Sequence, residues 1–558
     1  MYASNAPFGG NVVGLETATW RYFGKSPNLL SWAEAATLAV LPNSPALIHP
    51  GRNRETLLKK RNKLLLKLLE SQTIDTISYE LALEEEIPEQ PAALPQLAPH
   101  LLDRVCSWRL QQPQTRFQTT IDVKLQLQLT HLLNRHHHIL QNNYIHNAAA
   151  VVMDVETGAV LAYVGNVVGT GQAHGEQVDI ISAPRSTGSI IKPLLYAATL
   201  DEGIVHPNTL LPDIPMQLSG YRPENFLQRY DGVVKSERAL SRSLNVPIIR
   251  MLQMYGLEKF HYRLQRLGFS TINKPANHYG LPLVLGGAEV TLEQITSTYA
   301  SMARTLKHFP IQNGWYHPDD FQMAHVLHEK KETQARLQKS PIQYSAGAIW
   351  FTFDAMQTLE RPNTVGEWEQ FDSSRKIAWK TGTSFGFRDA WAVGVDTKYA
   401  VGIWVGNADG EGRPGLVGVH TAAPIMFDVF HLLPAASTWF EAPYDEMIEL
   451  PICKQSGFRA LDICEKDTVW ALASHLKMNA CPYHQIIHLD GTLNWQVNSD
   501  CETVSNIQHQ SWFVLPPVEA HYYKGKNPSY KVLPPFRVDC EVDASQSMME
   551  LIYPKSTQ

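Results

Sequence analysis

The sequence predicts a multidomain α+β protein: a helical N-terminal lobe, an α+β domain whose antiparallel sheet is covered by helices, and a small β-rich region holding most of the cysteines. Three observations predict it. The apolar period turns strand-like at Asn147, in "AAAVVMDVETGAVLAYVGN". Strand-like runs return only at "KIAWKTGTSFGFRDAWAVGVDTKYAVGIWVGN" (376–407), after a mainly helical stretch over 186–310. Past residue 435 the texture becomes rich in Pro, Cys and aromatics. One antiparallel sheet built from both ends of a segment, with helices between, is the economical α+β arrangement.

Each element has its local reason. "NLLSWAEAATLAVLP" carries apolar residues at helical spacing and stops at Pro42. "RETLLKKRNKLLLKLLESQTI" reads as a second amphipathic helix with a basic, solvated face. Pro and Gln thicken at "PEQPAALPQLAPH" (88–100), a linker signal. "FQTTIDVKLQLQLTHLLNRHHHIL" resumes a helix. Its histidines 136–138 are adjacent, so they point in different directions and cannot share one ion; a solvated helix surface is expected. "ETG" between two apolar runs is a hairpin turn, and "SFGF" and "DTK" split 376–407 into three strands. The domain boundaries expected are 1–95, 96–145 as a connecting segment, 146–435 and 436–558.

Composition excludes several classes. The 558 residues are 44% hydrophobic, enough for real cores, with a formal charge of −6 and interspersed signs. No basic block suggests a nucleic-acid partner. No run of about 18 apolar residues is present, and "MYASNAPFGGN" lacks the charged and apolar regions of a signal peptide.

The chemistry centres on "STGSIIKPLLY", where Ser189 and Lys192 stand three residues apart. On a helix, i and i+3 share a face. A serine hydroxyl becomes a nucleophile when a group beside it takes its proton, and a lysine with a lowered pKa can do so. Ser189 in the first helical turn would also feel the helix N-terminus, and Pro193 is tolerated only near a helix start. Alone, Ser-x-x-Lys is equally an ordinary helix entry. Two more pieces follow in order: Ser243-Leu-Asn245, and Lys380-Thr381-Gly382-Thr383 in an apparent strand. A glycine within a strand marks close approach of a ligand or another backbone. The set Ser-x-x-Lys, Ser-x-Asn, Lys-Thr-Gly is specific to serine acyl-transfer enzymes that react with penicillin.

On these motifs the chain resembles the bifunctional, class A penicillin-binding proteins, over nearly its whole length. "NAPFGGNVVGLETATWRYFGKSPNLLSWAEAATLAVLPNSPALIHP" and "KKRNKLLLKLL" resemble the C-terminal part of the peptidoglycan glycosyltransferase domain. "TTIDVKLQLQL" resembles the interdomain segment. "PRSTGSIIKPLLYAATLDEG", "PENFLQRYDG", "ALSRSLNVP" and "LVLGGAEVTLEQITSTYA" resemble the transpeptidase domain, which has a β-lactamase-like fold. "GFRALDIC…CPYHQIIHLD…LPPFRVDC" resembles the cysteine-containing region of the family's 1C type. The family's glycosyltransferase glutamates lie in motifs upstream of Met1, and "MELIYPKSTQ" resembles the opening strand of a further β domain, so a middle piece without glycosyltransferase activity is expected.

The resemblance implies a reaction and its residues. Ser189 would attack the penultimate carbonyl of a stem peptide ending in D-Ala-D-Ala, with Lys192 as base. Ser243 would relay a proton to the leaving D-alanine, and Lys380 would hold Ser243. Thr381 and Thr383 would bind the terminal carboxylate, Gly382 would belong to the same binding strand, and Asn245 would orient the stem. The N–H groups of Ser189 and Thr383 would form an oxyanion hole. The implied partners are peptidoglycan stem peptides, the lipid-linked precursor, β-lactam antibiotics and cell-wall synthesis proteins; no cofactor is implied. The implied location of the parent protein is the periplasmic face of the inner membrane. The rival readings are a β-lactamase-like hydrolase and a non-catalytic β-lactam-binding scaffold. The Glu-x-x-x-Asn pattern of class A β-lactamases does not occur between Asn245 and Lys380, which disfavours the hydrolase.

Five of six cysteines crowd the last quarter: Cys453, Cys464, Cys481, Cys501 and Cys540. Cys481-x-x-His484 is half of a zinc pattern. The oxidising compartment implied by the family favours disulfides instead. Cys453–Cys464 is the expected pair for its short loop, with Cys540 left free, His484 an ordinary surface or core residue, and no metal site.

Overall fold

The computed structural model describes residues 2–9, 12–43, 52–89, 91–92, 96–109, 117–218, 220–328, 336–357 and 375–540. The chain divides into two compact units, Met1–Leu97 and Ala98–Gln558. The first is helical. Its helix Trp32–Val40 begins at a reciprocal cap: Ser31 Oγ accepts from the Glu34 N–H, and Glu34 accepts from the Ser31 N–H. Pro42 sits in the short turn that ends it. The basic helix spans Arg54–Glu70. Lys59, Lys63 and Lys67 are exposed as expected, but Arg61 is not. It is 1% exposed and donates to the carbonyls of Leu83 and Glu85. These lie at the C-terminal end of the helix Thr76–Glu84, where unpaired carbonyls favour a cation.

In the second unit the segment read as a linker already contains a helix, Pro99–Arg109. The next helix, Val123–Leu140, starts later than its apolar pattern, where Asp122 Oδ1 accepts the Leu125 N–H. The three histidines do diverge, yet they are not all solvated. His136 pairs with Asp428 at 2.7 Å, His137 is buried, and only His138 is exposed. Burial holds the His137 pKa below its ordinary value.

Thirteen strands follow among the described residues. β1 (Asn147–Asp154) and β2 (Val160–Val164) form the hairpin around the Glu-Thr-Gly turn. β3 (Arg185–Ser186), β4 (Leu210–Asp213), β5 (Gly232–Lys235) and β6 (Glu289–Val290) make two short ribbons, β3–β6 and β4–β5. β7 (Ala378–Thr383), β8 (Asp389–Val395) and β9 (Tyr399–Gly406) are the three runs read from sequence. β10 (Met447–Cys453) pairs with β11 (Lys466–Leu472), and β12 (His484–Leu489) with β13 (Gln508–Phe513).

The main sheet has the order β2-β1-β9-β8-β7, antiparallel throughout. It is buried on both faces, which explains its unbroken apolar runs. On one face Ala150, Val152, Ala392, Ile403 and Val405 pack against the helices Val123–Leu140 and Gly418–Leu432. On the other, Val151, Met153, Val393 and Trp404 share a core with the helices Lys192–Asp201, Leu292–Ile311 and Ala346–Gln357. Period-two alternation therefore sorts one strand into two cores. No helix among the described residues is long and apolar enough to cross a membrane.

The cysteine region departs from its expectation. Cys501 and Cys540 are disulfide-bonded, with Cα atoms 4.9 Å apart, so Cys540 is not free. The Gln496 N–H donates to the Pro535 carbonyl and the Arg537 N–H to the Gln496 carbonyl, which brings these two segments together. Cys453 and Cys464 are not bonded to each other. Their thiols and that of Cys481 converge with the His484 ring instead. "MELIYPKSTQ" lies outside the described residues.

Candidate active site

Ser189 stands in a tight turn just ahead of the helix Lys192–Asp201, not in its first turn. The Lys192 N–H donates to the Ser189 carbonyl at 3.3 Å, so nucleophile and lysine are still one turn apart. Pro193 follows at the helix start, where its missing N–H costs nothing. Neighbouring elements pin the turn. Tyr299 Oη donates to the Ile190 carbonyl at 2.9 Å, and Trp391 Nε1 to the Ser186 carbonyl at 2.8 Å.

Lys192 is fully buried. Its Nζ donates to the carbonyls of Ser243 (2.8 Å) and Leu244 (3.1 Å) and to Asn245 Oδ1 (2.7 Å). Burial away from water disfavours the charged amine and pushes its pKa down to about 7. None of the three acceptors is Ser189 Oγ.

Ser243 follows the short helix Ser236–Ser241 and has φ +54°, in the left-handed region. The Ser243 N–H donates to the Leu240 carbonyl, and the Leu244 N–H to the Ala239 carbonyl, both at 2.9 Å. This is a Schellman cap, whose left-handed position is usually glycine. Here a serine occupies it, and its hydroxyl accepts from Lys380 Nζ at 2.8 Å. Lys380 is 1% exposed and also donates to the Thr381 carbonyl.

Gly382 has a packing reason within β7. A Cβ there would lie 2.7 Å from the Thr187 carbonyl oxygen and 3.2 Å from the Ile190 nitrogen. Gly188, at φ +49°, meets β7 from the other side, where a Cβ would lie 2.5 Å from the Thr383 carbonyl oxygen. The two glycines set the Ser189 turn directly against the end of β7. Thr381 and Thr383 alternate with Lys380 and Gly382, so the two hydroxyls share a face. Thr383 Oγ1 accepts the Gly418 N–H at 3.0 Å.

Asn245 begins the helix Val246–Tyr255, and its amide spans Lys192 Nζ and the Glu224 carbonyl, to which Nδ2 donates at 2.7 Å. The structure thus gathers Ser189, Lys192, Ser243, Asn245, Lys380, Thr381, Gly382 and Thr383 around one turn, one cap and one strand end. Sequence reasoning missed Asn225. Buried at 3% exposure, its Oδ1 accepts the N–H groups of Asn245 (2.9 Å) and Val246 (3.2 Å). Its Nδ2 donates to Asp213 Oδ1 at 2.7 Å. Buried asparagine amides need such partners, but only the fold says which. Among the described residues no metal-ligating cluster includes any of these side chains.

The comparisons with known proteins coincide with this geometry. Residues 148–426, half of the chain, match the family model for the penicillin binding protein transpeptidase domain, and residues 1–69 match that for transglycosylase. The chain belongs to the class A penicillin-binding proteins. Penicillin-binding protein 1C of Escherichia coli is 34% identical over 78% of this chain and 53% of its own length. Penicillin-binding protein 1B of Haemophilus influenzae is 26% identical over 75% of this chain and 54% of its own. The chain thus spans about half the length of the curated relatives it matches. A crystal structure of penicillin-binding protein 1A from Haemophilus influenzae aligns with a TM-score of 0.58 at 19% identity, covering 85% of this chain and 90% of that one. That likeness concerns the fold.

Proposed function

We propose that this penicillin-binding protein is a serine D,D-transpeptidase acting on peptidoglycan stem peptides ending in D-Ala-D-Ala. The observation that carries the reading is the buried Lys192, one turn from Ser189 and joined to the Ser243–Asn245 segment. A neutral amine has two hydrogens and a lone pair. Loss of its proton therefore frees Nζ from one of its three acceptors, and the lone pair can take the Ser189 proton. Ser189 Oγ bonds to the carbonyl carbon of the penultimate D-alanine, whose C–N bond to the terminal D-alanine then breaks. Ser243, held by Lys380, passes a proton to the departing amine and takes in its place the proton that Lys192 received. Thr381 and Thr383 bind the terminal carboxylate, Gly382 lets the strand approach, and Asn245 orients the stem. The N–H groups of Ser189 and Thr383 receive the oxyanion, each such donor being worth about 3 kcal/mol in the transition state. An amine of a second stem then displaces Ser189 and forms the cross-link.

A β-lactam carries a matching carboxylate beside a strained amide and acylates Ser189 in place of the peptide. The lipid-linked precursor and cell-wall synthesis proteins are the further partners of this reading. The periplasmic face of the inner membrane is its location. Intact-mass analysis after incubation with penicillin tests it: one adduct on the chain and none on Ser189→Ala is expected. A folded chain without an adduct, or an adduct persisting in Ser189→Ala, would sink it. Rapid release of hydrolysed penicillin would favour the hydrolase instead.

A further inference from the structure

We infer that Cys453, Cys464, Cys481 and His484 form a structural zinc site in the region after the transpeptidase domain. The three thiol sulfurs and a ring nitrogen of His484 all lie within 4.8 Å of one another. The Cys453 and Cys481 sulfurs stand 3.4 and 3.3 Å from His484 Nδ1. Tetrahedral zinc, with Zn–S of about 2.3 Å and Zn–N of about 2.0 Å, separates sulfur from nitrogen by about 3.5 Å. Two of the sulfur–nitrogen pairs thus already stand at the separation zinc sets, and the Cys464 sulfur lies within 4.8 Å of the other ligand atoms. Three thiolates and one imidazole make a closed set with no position for substrate, the signature of a structural rather than a catalytic ion.

The surroundings are built for thiolates. The Ser456 N–H donates to Cys453 Sγ and the Leu461 N–H to Cys464 Sγ, each at 3.4 Å. Ser456 Oγ donates to Cys481 Sγ at 3.1 Å. Every sulfur therefore has a donor of its own, as the outer shell of a metal site requires. All three cysteines are buried, in a cluster with Phe458, Tyr483 and Leu515.

Disulfide chemistry does not account for this arrangement. Three thiols cannot all pair among themselves, and all three are free here although the same region does close a disulfide, Cys501–Cys540. The site also answers a need of the fold. β10–β11 and β12–β13 are two-stranded sheets, which are marginal by themselves. Cys453 ends β10 and His484 begins β12, so one ion joins the two hairpins. The loop between Cys453 and Phe458 is seated on the transpeptidase domain: the Leu210 N–H donates to the Ser456 carbonyl at 2.9 Å, and Thr209 Oγ1 to the Gly457 carbonyl at 3.3 Å. The ion would fasten the region to that domain as well as to itself.

The test uses the full chain, purified without chelator or added metal, with elemental analysis as its first readout. About one zinc per chain is expected. Alkylation under denaturing, non-reducing conditions with chelator should label Cys106, Cys453, Cys464 and Cys481 and leave the Cys501–Cys540 bond intact. Exchange into cobalt(II) should give a thiolate-to-metal charge-transfer band and the intense visible bands of tetrahedral cobalt. His484→Cys should keep the metal, Cys464→Ser should lose it, and Cys106→Ser should change nothing. A chain with less than about a tenth of an equivalent of zinc that gives no cobalt thiolate band overturns the proposal. So does a second disulfide among Cys453, Cys464 and Cys481. If the ligand variants fail to fold, the zinc content and cobalt spectrum of the unaltered chain decide alone.

Discussion

Lys380 donates a 2.8 Å hydrogen bond to the hydroxyl of Ser243 across 137 residues of sequence. Both partners occupy costly positions: Lys380 is a polar side chain almost wholly out of water, and Ser243 is an L-residue at φ +54° in a cap that suits glycine. The pairing gives a reason for serine there, since glycine would offer Lys380 no hydroxyl.

That relationship is testable with two variants that both remove the hydroxyl. Ser243→Ala keeps the strained left-handed residue, and Ser243→Gly relieves it. Both should lose acylation by penicillin to a similar extent. The glycine variant should be the more stable of the two by about 1 kcal/mol, measured by denaturant unfolding. Equal stabilities would show that the left-handed cap stores no strain.

The pH dependence of acylation follows from Lys192. Burial pushes its pKa down to about 7, so the amine gains its proton as pH falls through that value. The base form is lost on the acid side, and the second-order rate of penicillin acylation should drop about tenfold per pH unit below the pKa and level off above it. Lys192→Arg, charged at every pH, should be slower by about 10²- to 10⁴-fold with no such inflection. An unaltered chain whose rate is flat between pH 5 and pH 9 (roughly the range in which a shifted lysine titrates) would remove Lys192 as the base.

Asn225 positions the site rather than touching its chemistry. Its Oδ1 takes the N–H groups of Asn245 and Val246, and its Nδ2 is held by Asp213. Asn225→Ala leaves those groups without a partner in a buried setting, at about 1–3 kcal/mol. It should also release Asn245 from its place beside Lys192. Expected outcomes are a lower melting temperature and a slower acylation rate measured well below melting. A fall in melting temperature with an unchanged rate would reduce Asn225 to a purely structural residue.

The sheet was legible because both of its faces are buried, so β1 and β7–β9 read as apolar runs whatever packs on them. The meeting of Lys380 with Ser243 could be anticipated from the motif order, but not its form, because no local pattern announces a serine in a left-handed cap. Ser-x-x-Lys gives spacing alone, which does not decide whether Ser189 lies in the first helical turn or just ahead of it. The turn it occupies depends on Gly188 touching Thr383, a contact 195 residues away in sequence. Helical periodicity marks a face and not what covers it, so it gives Arg61 and His137 as solvated when both are buried. The cysteines misled for a related reason. Loop length ranks possible pairs, while the partner is decided by which segments the fold brings together, as Gln496 with Pro535 and Arg537 do for Cys501 and Cys540.

The contact between the Ser189 turn and β7 yields the last prediction. A Cβ on Gly382 would lie 2.7 Å from the Thr187 carbonyl oxygen and 3.2 Å from the Ile190 nitrogen. Both are backbone atoms, so neither can turn aside as a side chain would. In Gly382→Ala the turn must move away from the strand, taking Ser189 with it. Overpacking of this kind costs about 1–3 kcal/mol, which a domain with so large a core can absorb. The reaction is less tolerant, because a shift of about 1 Å in a reacting group can cost about 10²-fold in rate. Gly382→Ala should therefore remain folded by circular dichroism and melt only slightly earlier, while its penicillin acylation slows by about 10²-fold or more. Gly491→Ala, where nothing lies within 4 Å of the added carbon, should match the unaltered chain in both measurements. Acylation of Gly382→Ala at the ordinary rate would mean that the turn and the strand do not meet as closely as the geometry places them.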